Sequence, residues 1–195
     1  MIARSELILG GQRSGKSRRA EMLSRSWLAQ SPDHEAVLIA TAQPWDDEMR
    51  TRIARHQQDR AERVPGMQTL EEPLALAEAL TQRSNPNTLV VVDCLTLWLT
   101  NHLMPVEGNE SNMRTDRSLA NEIPTLAAML SVAITDAKGP LVLVGNEIGL
   151  GVIPLGSGTR GFVDALGRLN QDLAAVCQRV TLMVAGLPLT IKEAS

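Results

Sequence analysis

The sequence predicts an α/β fold, in which a largely parallel sheet carries helices on both faces. Three observations support this fold class. A glycine-rich motif directly follows the first apolar segment, short apolar segments alternate with helical patterns, and several of those segments are continuous and β-branched, as in strands buried on both faces. At 195 residues the chain is long enough for one well-buried domain and short for two, so we expect one domain over residues 1–195.

The glycine-rich motif begins where the first predicted strand, Leu7–Leu9, ends. Residues 10–17, the phosphate loop, fit the pattern G-x-x-x-x-G-K-[ST], and the spacing of Ala20, Leu23 and Trp27 predicts a helix over Ser17–Gln30. Strand, glycine loop and helix form the arrangement in which backbone N–H groups and a helix N-terminus bind phosphate. The nucleotide contacts predicted here are Leu9, Gly10, Gly11, Gln12, Arg13, Ser14, Gly15, Lys16 and Ser17.

The chemistry of this loop follows from its residue types. Lys16 is placed to reach the β- and γ-phosphates as a catalytic group, and the Ser17 hydroxyl to hold Mg²⁺. The alternative is a glycine-rich turn that matches by chance. Because position and context are both right, the motif favours binding of ATP or GTP and a P-loop NTPase-type, RecA-like fold.

The remaining elements follow the same alternation along the chain. After the first strand, apolar runs predict further strands over Ala36–Ala40, Thr88–Val92, Leu141–Val144 and Val180–Val184. Helical periodicity predicts helices over Asp46–Arg63, Pro73–Gln82, Leu119–Ala137 and Gly161–Gln178. The polar, turn-rich stretch Pro105–Arg117 predicts a mobile loop. In such a fold, functional residues are expected at the carboxyl ends of the strands.

One strand ends in a carboxylate that suits a nucleotide site. Residues 88–92 are apolar and Asp93 follows them, which is the form of a Walker B element whose Asp holds Mg²⁺. The alternative is that Asp93 caps the following segment. No D-x-x-G follows this strand and no N-K-x-D appears late in the chain, so a GTPase switch is disfavoured, and a small-molecule kinase is the default.

The helix predicted over Asp46–Arg63 carries a candidate nucleophile. Arg52, His56 and Arg60 are spaced four apart and would lie on one face. A neutral imidazole flanked by guanidinium groups that grip phosphates could attack an α-phosphate and form a nucleotidyl intermediate. The alternative is a charged exterior helix on which His56 is incidental.

Composition excludes several function classes. A net charge of -3 and 2% aromatic residues disfavour nucleic-acid binding, which needs basic surfaces and stacking rings. Two isolated cysteines, Cys94 and Cys177, argue against structural zinc and a disulfide framework. No apolar run approaches the length of a membrane span, and the first strand begins close to the N-terminus, so we expect no signal peptide and a cytoplasmic protein.

Nearly the whole chain resembles the bifunctional adenosylcobinamide kinase/adenosylcobinamide-phosphate guanylyltransferase family of cobalamin biosynthesis. The most specific motifs are G-G-x-R-S-G-K-S at residues 10–17 and N-E-x-G-x-G-x-x-P at residues 146–154. The other matching stretches are residues 39–42, 46–49 with Arg52, Ile53 and His56, residues 69–74, 93–96, 167–171 and 184–189. Met67 stands where the family often has Trp, and residues 57–59 replace a more basic, Gly-containing stretch found in some members.

The resemblance implies roles for matching positions. His56 falls where the family's guanylylated histidine lies, which implies a catalytic role. The positions that match residues near the nucleotide are Ala40, Thr41, Ala42, Gln57, Gln58, Asp59, Arg60, Glu71 and Asp93. The implied activity is phosphorylation of adenosylcobinamide with ATP or GTP, followed by transfer of GMP from GTP to adenosylcobinamide phosphate through a guanylyl-histidine. A homotrimer and Mg²⁺, held by Ser17 and Asp93, are implied as well.

Two other functions stay open at this point: a single-activity kinase with an inert His56, and a non-catalytic nucleotide-dependent switch. For the remaining polar residues we expect mainly structural roles. We expect His34 to be solvated, His102 to be structural, and Asn146 and Glu147 to have a structural or substrate-side role near the site. Packing or subunit contacts are expected of Arg160, Asp164 and Asn170.

Overall fold

A seven-stranded sheet forms the centre of the protein. The computed structural model describes residues 2–44, 46–103 and 116–193. Its strands are β1 (Ser5–Gly10), β2 (Glu35–Ala40), β3 (Gln68–Glu71), β4 (Thr88–Asp93), β5 (Leu141–Val144), β6 (Arg179–Val184) and β7 (Leu187–Glu193). Its helices are α1 (Lys16–Leu28), α2 (Asp47–Arg63), α3 (Leu76–Arg83), α4 (Leu95–Leu103), α5 (Asp116–Thr135) and α6 (Ser157–Val176).

The strand order brings several carboxyl ends to one edge. The order is β3-β2-β4-β5-β1-β6-β7, and every pairing is parallel except that of β6 with β7. β5 therefore separates β1, which leads into the phosphate loop, from β4, which ends at Asp93. Because parallel strands end at the same side, the loops after β1, β2, β3, β4 and β5 open onto a common edge, where sites in open α/β sheets form.

Alternation along the strands divides the core into two layers. Leu7 and Leu9 of β1 belong to a buried cluster with α3, α4, α5 and α6, whereas Ile8 points to the opposite face and packs with Ala20 of α1. All three residues are at most 7% exposed. The continuous apolar run of β1 thus supplies both faces, which confirms the predicted α/β fold with helices on both sides.

The structure extends and corrects the predicted elements. Strands missed from the sequence are β3, whose four residues carry only one aliphatic side chain, and β7, an edge strand interrupted by Pro188. The helix α4 was also not predicted, because its run after Asp93 lacks a clear polar face. Most of the loop predicted over Pro105–Arg117 lies outside the described residues, but Asp116 and Arg117 begin α5, so the predicted end of that loop is wrong.

A buried carboxylate ties β1 to its neighbours. Glu6 is 1% exposed, and its Oε1 accepts hydrogen bonds from Arg19 Nε of α1 and from the Thr181 hydroxyl of β6, both at 2.8 Å. Its Oε2 lies 3.5 Å from Arg179 Nη1, and Arg179 also pairs with Glu193 of β7. A buried charge without partners would be costly, so this cluster couples three strands and a helix.

We expect Glu6→Gln to lower the free energy of unfolding by about 3 kcal/mol, because the amide leaves two guanidinium groups without their shared carboxylate. Urea unfolding with an unchanged m-value measures the effect. The matched change Asp47→Asn, in an exposed ion pair with Arg50, should cost less than about 0.5 kcal/mol. Equal losses in both variants would contradict a stabilising role for the buried cluster.

Candidate active site

Two positions of the phosphate loop have backbone conformations that favour glycine. Gly10 has φ 151° and Gly15, at the N-cap of α1, has φ 100°. A Cβ at Gly10 would lie 2.6 Å from the Met183 carbonyl oxygen and 2.7 Å from Ser14 Oγ. A Cβ at Gly15 would lie 3.2 Å from Gly186 Cα. The loop is therefore held against the turn between β6 and β7, where the Gly186 N–H donates to the Ser14 carbonyl at 3.0 Å.

The loop collects groups that bind anions. Lys16 is buried and its Nζ donates to the Gly11 carbonyl at 2.7 Å. Ser14 Oγ is buried and has no hydrogen-bond partner within the described residues. Gln12 and Arg13 are exposed on the loop, and Ser17 is partly exposed in the first turn of α1. A helix N-terminus, an ammonium group and an unbonded hydroxyl at one loop form a phosphate site in chemical terms.

The ends of β3, β2 and β4 lie in one row beside this loop. Ala40 pairs in register with both Glu71 and Asp93, and Asp93 with Val144 of β5. The peptide bond between Asp93 and Cys94 is cis. Burial raises the pKa of the Cys94 thiol to about 11; the charge of Asp93 adds to this shift, and backbone hydrogen bonds and the ammonium of Lys16 oppose it.

Thr41, predicted as a nucleotide contact, has its hydroxyl committed within the protein. It is fully buried, donates to the Cys94 carbonyl at 2.7 Å and accepts from the Cys94 N–H at 2.9 Å. Its own carbonyl accepts from Asn101 Nδ2 at 2.8 Å. The side chain therefore joins the ends of β2 and β4, while the neighbouring Ala42 is partly exposed at the edge. Contact of Ala40, Thr41 and Ala42 with nucleotide stays a prediction.

Helix α2 lies over the same edge and is held mainly by polar contacts. Asp46 caps it by accepting from the Met49 N–H at 2.7 Å. Gln57 Nε2 donates to Glu71 Oε1 at 3.3 Å. Burial lowers the pKa of Arg60, and the carboxylates of Asp93 and Glu21 oppose that shift. Gln57 thus joins the helix to the end of β3.

The contact of α2 with α1 centres on a residue that sequence reasoning missed. Glu21 of α1 is buried, and its Oε2 lies 3.2 Å from Arg63 Nη1 at the end of α2. Arg63 also pairs with Asp59 at 3.3 Å. The sequence signal was weak, since Glu21 directly follows the core residue Ala20 and reads as the polar flank of a helix.

The structure places the candidate nucleophile on this helix. His56 is partly exposed, one position before Gln57 and one turn before Arg60. The side chain of Arg52 lies outside the described part of the protein, so the predicted alignment of all three residues stays a prediction. Gln58 Nε2 donates to Glu62 Oε1 at 3.4 Å, and Asp59 accepts from Arg63. The side chains of Gln58 and Asp59 thus make their contacts within α2.

The other singled-out residues are structural in this fold. His34, expected to be merely solvated, stacks on Trp27 with ring centroids 3.7 Å apart, because the turn before β2 folds back on α1. His102 packs edge-on against Trp98. Asn170 Nδ2 donates to the Asn146 carbonyl at 3.1 Å, which fits the packing role expected of Asn170. Glu147 lies at the phosphate loop, where its N–H donates to the Gly10 carbonyl at 3.1 Å.

Two further features of the described residues concern membrane-spanning helices and groups that could hold a metal ion. Among the described residues no helix is long and apolar enough to cross a membrane. Within the same residues no group of three or more His, Cys, Asp or Glu side chains is arranged to hold a metal ion.

Comparison with known proteins identifies the family. Residues 6–191 match the family model described as cobinamide kinase/cobinamide phosphate guanyltransferase. The bifunctional adenosylcobalamin biosynthesis protein CobP of Pseudomonas aeruginosa is 46% identical over 188 residues, which cover 96% of each chain. The protein CobU of Escherichia coli K12 is 36% identical over 187 residues, 95% of this chain and 98% of that one.

A solved structure from Pyrococcus horikoshii OT3 matches with a TM-score of 0.55 and 13% identity, over 100% of this chain and 88% of that chain. At this identity the likeness supports the fold alone. The family match covers the phosphate loop, helix α2 and at least most of every strand described above. The chain therefore belongs to the cobinamide kinase/cobinamide phosphate guanyltransferase family.

Proposed function

We propose that this protein phosphorylates adenosylcobinamide and then transfers GMP from GTP to adenosylcobinamide phosphate through a guanylyl group on His56. The observation that carries the proposal is the contact of α2 with the sheet edge onto which the phosphate loop opens. Gln57, the residue after His56, donates to Glu71 at the end of β3, and Ala40 pairs in register with both Glu71 and Asp93. The proposal gives a role both to the phosphate loop and to His56 on helix α2, which meet the same edge of the sheet.

In the first step, the γ-phosphoryl group of ATP or GTP passes to the hydroxyl of the aminopropanol arm. The loop amides and the N-terminus of α1 bind the phosphate chain, and Lys16 exchanges its bond to the Gly11 carbonyl for phosphate oxygens. The ammonium group then stabilises charge that develops on the transferring phosphoryl group. The Ser14 hydroxyl supplies a further hydrogen bond to phosphate.

Ser17 and Asp93 are the residues that would hold Mg²⁺. A hydroxyl and a carboxylate are oxygen ligands of the kind that Mg²⁺ prefers, and Ser17 lies in the first turn of α1, one residue after Lys16. When bound, Mg²⁺ supplies charge neutralisation between the β- and γ-phosphate oxygens.

In the second step, an imidazole nitrogen of His56 attacks the α-phosphorus of GTP. The new P–N bond forms as the bond to the pyrophosphate oxygen breaks, pyrophosphate leaves, and the imidazole proton is lost to solvent. A phosphate oxygen of adenosylcobinamide phosphate then attacks the same phosphorus, and the P–N bond breaks to give adenosylcobinamide-GDP. Arg60, one turn after His56, would bind the phosphates during this transfer.

We also propose a homotrimer and a cytoplasmic location. The edge strand β7 leaves Leu187, Leu189 and Ile191 between 59% and 71% exposed, which is typical of a surface covered by another copy. Cys94 and Cys177 are both free, which suits a reducing compartment. Sedimentation analysis would test the trimer.

His56→Ala should abolish covalent labelling of the protein by GTP carrying label in the α-phosphate, because the attacking nitrogen is gone. Kinase activity should stay within about threefold of the wild type, since the phosphate loop is unchanged. Denaturing electrophoresis measures the label, and His102→Ala, at a histidine packed on Trp98, serves as the control that keeps it. Label retained by His56→Ala would place the guanylyl group on another residue, and an unlabelled wild-type protein would leave a kinase with an inert His56 as the better assignment.

Lys16→Ala should lower kcat/KM of both the kinase and the guanylyl transfer by about a hundredfold or more, if one phosphate site serves both steps. Steady-state assays of each step with the separate acceptors measure this. Lys138→Ala, an exposed lysine after α5, is the matched control and should change neither. Loss of one activity alone would argue for two separate nucleotide sites.

Charge reversal tests whether the contact between Glu21 and Arg63 positions His56. Glu21→Arg and Arg63→Glu should each slow labelling of His56 by about tenfold or more, because small displacements of reacting groups are costly. The double variant restores an ion pair and should recover most of the rate. Arg50→Ala, in an exposed pair on the same helix, should leave labelling unchanged. Failure of the double variant to recover would contradict a positioning role.

A further inference from the structure

A cleft of about 520 Å³ opens between the loop after β5 and helix α6. We name it the 148–171 cleft: one wall is the loop of residues 148–154, and the other is the α6 face that carries Asp164, Arg168 and Gln171. Its volume is within the range of small-molecule sites. Neither the phosphate loop nor α2 lines it, so the steps described above leave it without a role.

The cleft continues directly from the phosphate loop. Its loop wall begins after Glu147, whose N–H donates to the Gly10 carbonyl at 3.1 Å and whose Oε1 accepts from the Gly149 N–H at 2.7 Å. Arg160 Nη1 fixes the far end of the same loop by donating to the Pro154 carbonyl at 3.0 Å and the Leu155 carbonyl at 2.5 Å. A molecule held in the cleft would therefore lie next to the phosphates.

Glycine inside α6 keeps the cleft wall open. Gly167 lies in the helix interior, where glycine is less favourable than alanine. A Cβ at this position would meet no atom within 4 Å, so tight packing in the protein does not require glycine here. Gly167 lines the cleft, and an added methyl group would project into it. The missing side chain is explained if another molecule approaches the helix there.

The loop wall exposes aliphatic side chains. Val152 is 96% exposed and Ile153 77%, and both line the cleft. Leu150, between them and Ile148 on the same loop, is 81% exposed. Exposed apolar groups next to polar side chains mark binding surfaces. The polar side of this cleft offers a carboxylate, a guanidinium and a carboxamide, which can both donate and accept hydrogen bonds.

We propose that the 148–171 cleft binds the corrinoid acceptor, in both its hydroxyl and its phosphorylated form. A corrinoid is a broad, flat, largely apolar macrocycle whose rim carries amide groups. The exposed aliphatic loop packs against one edge of the ring, and Asp164, Arg168 and Gln171 hydrogen-bond the rim amides. The aminopropanol arm then extends past Glu147 to the phosphate loop. This inference rests on the proposed function, since it names the site of that function's acceptor.

The matched pair Gly167→Ala and Gly161→Ala tests the proposal. Both glycines lie inside α6, and neither has an atom within 4 Å of an added Cβ, but only Gly167 lines the cleft. Both variants should raise the thermal unfolding midpoint, because alanine favours helix. Gly167→Ala alone should weaken cobinamide binding about tenfold or more in equilibrium dialysis, with the KM for ATP unchanged.

A second variant, Val152→Ser, tests the cleft independently in case Gly167→Ala does not fold. Val152→Ser changes a side chain that is almost fully exposed, and it should also weaken cobinamide binding while leaving the KM for ATP unchanged. Unchanged dialysis in Gly167→Ala and Val152→Ser would overturn the proposal. The main alternative is that the cleft is an interface between copies of this chain. Sedimentation analysis tests it: the alternative holds if these variants change the oligomeric state and leave cobinamide binding intact.

The experiments distinguish failure of the proposed function from failure of the cleft assignment. If wild-type protein with ATP and Mg²⁺ does not phosphorylate cobinamide, the function itself is wrong. If the wild type is active and Gly167→Ala binds cobinamide as the wild type does, only the assignment of the cleft is wrong.

Discussion

The buried carboxylate of Glu6 is the interaction on which the active edge depends. It receives Arg19 from α1 and Arg179 from β6, and thereby fixes the strand before the phosphate loop and the helix after it. The strand before residues 10–17 and the helix after them are thus both tied to a buried group, while Gly11, Gln12 and Arg13 of the loop are exposed. A phosphate site gains from such anchoring, because amides that already point at the ligand need no ordering when it binds.

Helix α2 is attached by a different kind of contact. Its side-chain links to the rest of the protein include Gln57 with Glu71 and Arg63 with Glu21. Ion pairs and single hydrogen bonds near the surface contribute little each and weaken with salt, whereas the apolar core holds β1 and α1. The same edge therefore combines a rigid phosphate cradle with a helix that can open locally at low cost in free energy.

Local sequence signals recovered much of this arrangement. The phosphate loop, the strand ending at Asp93 and the polar helix that carries His56 were predicted, because glycine spacing, apolar runs and periodicity are properties of short segments. The pairing of Glu21 with Arg63, the internal bonds of Thr41 and the cleft at Gly167 depend on residues distant in sequence. The edge strand β7 was missed as well, since Pro188 and exposed leucines do not distinguish an edge strand from a tail.

The turn between β6 and β7 completes the phosphate site from the far end of the chain. Ala185 and Gly186 adopt φ of 51° and 80°, and the Gly186 N–H binds the carbonyl of Ser14, more than 170 residues earlier. Because β6 pairs with β1 and leads into this turn, the supporting hydrogen bond forms only when the two strands lie side by side. The shape of the glycine loop therefore depends on a contact between distant segments, and a fragment without β6 and β7 would keep the motif but lose this support.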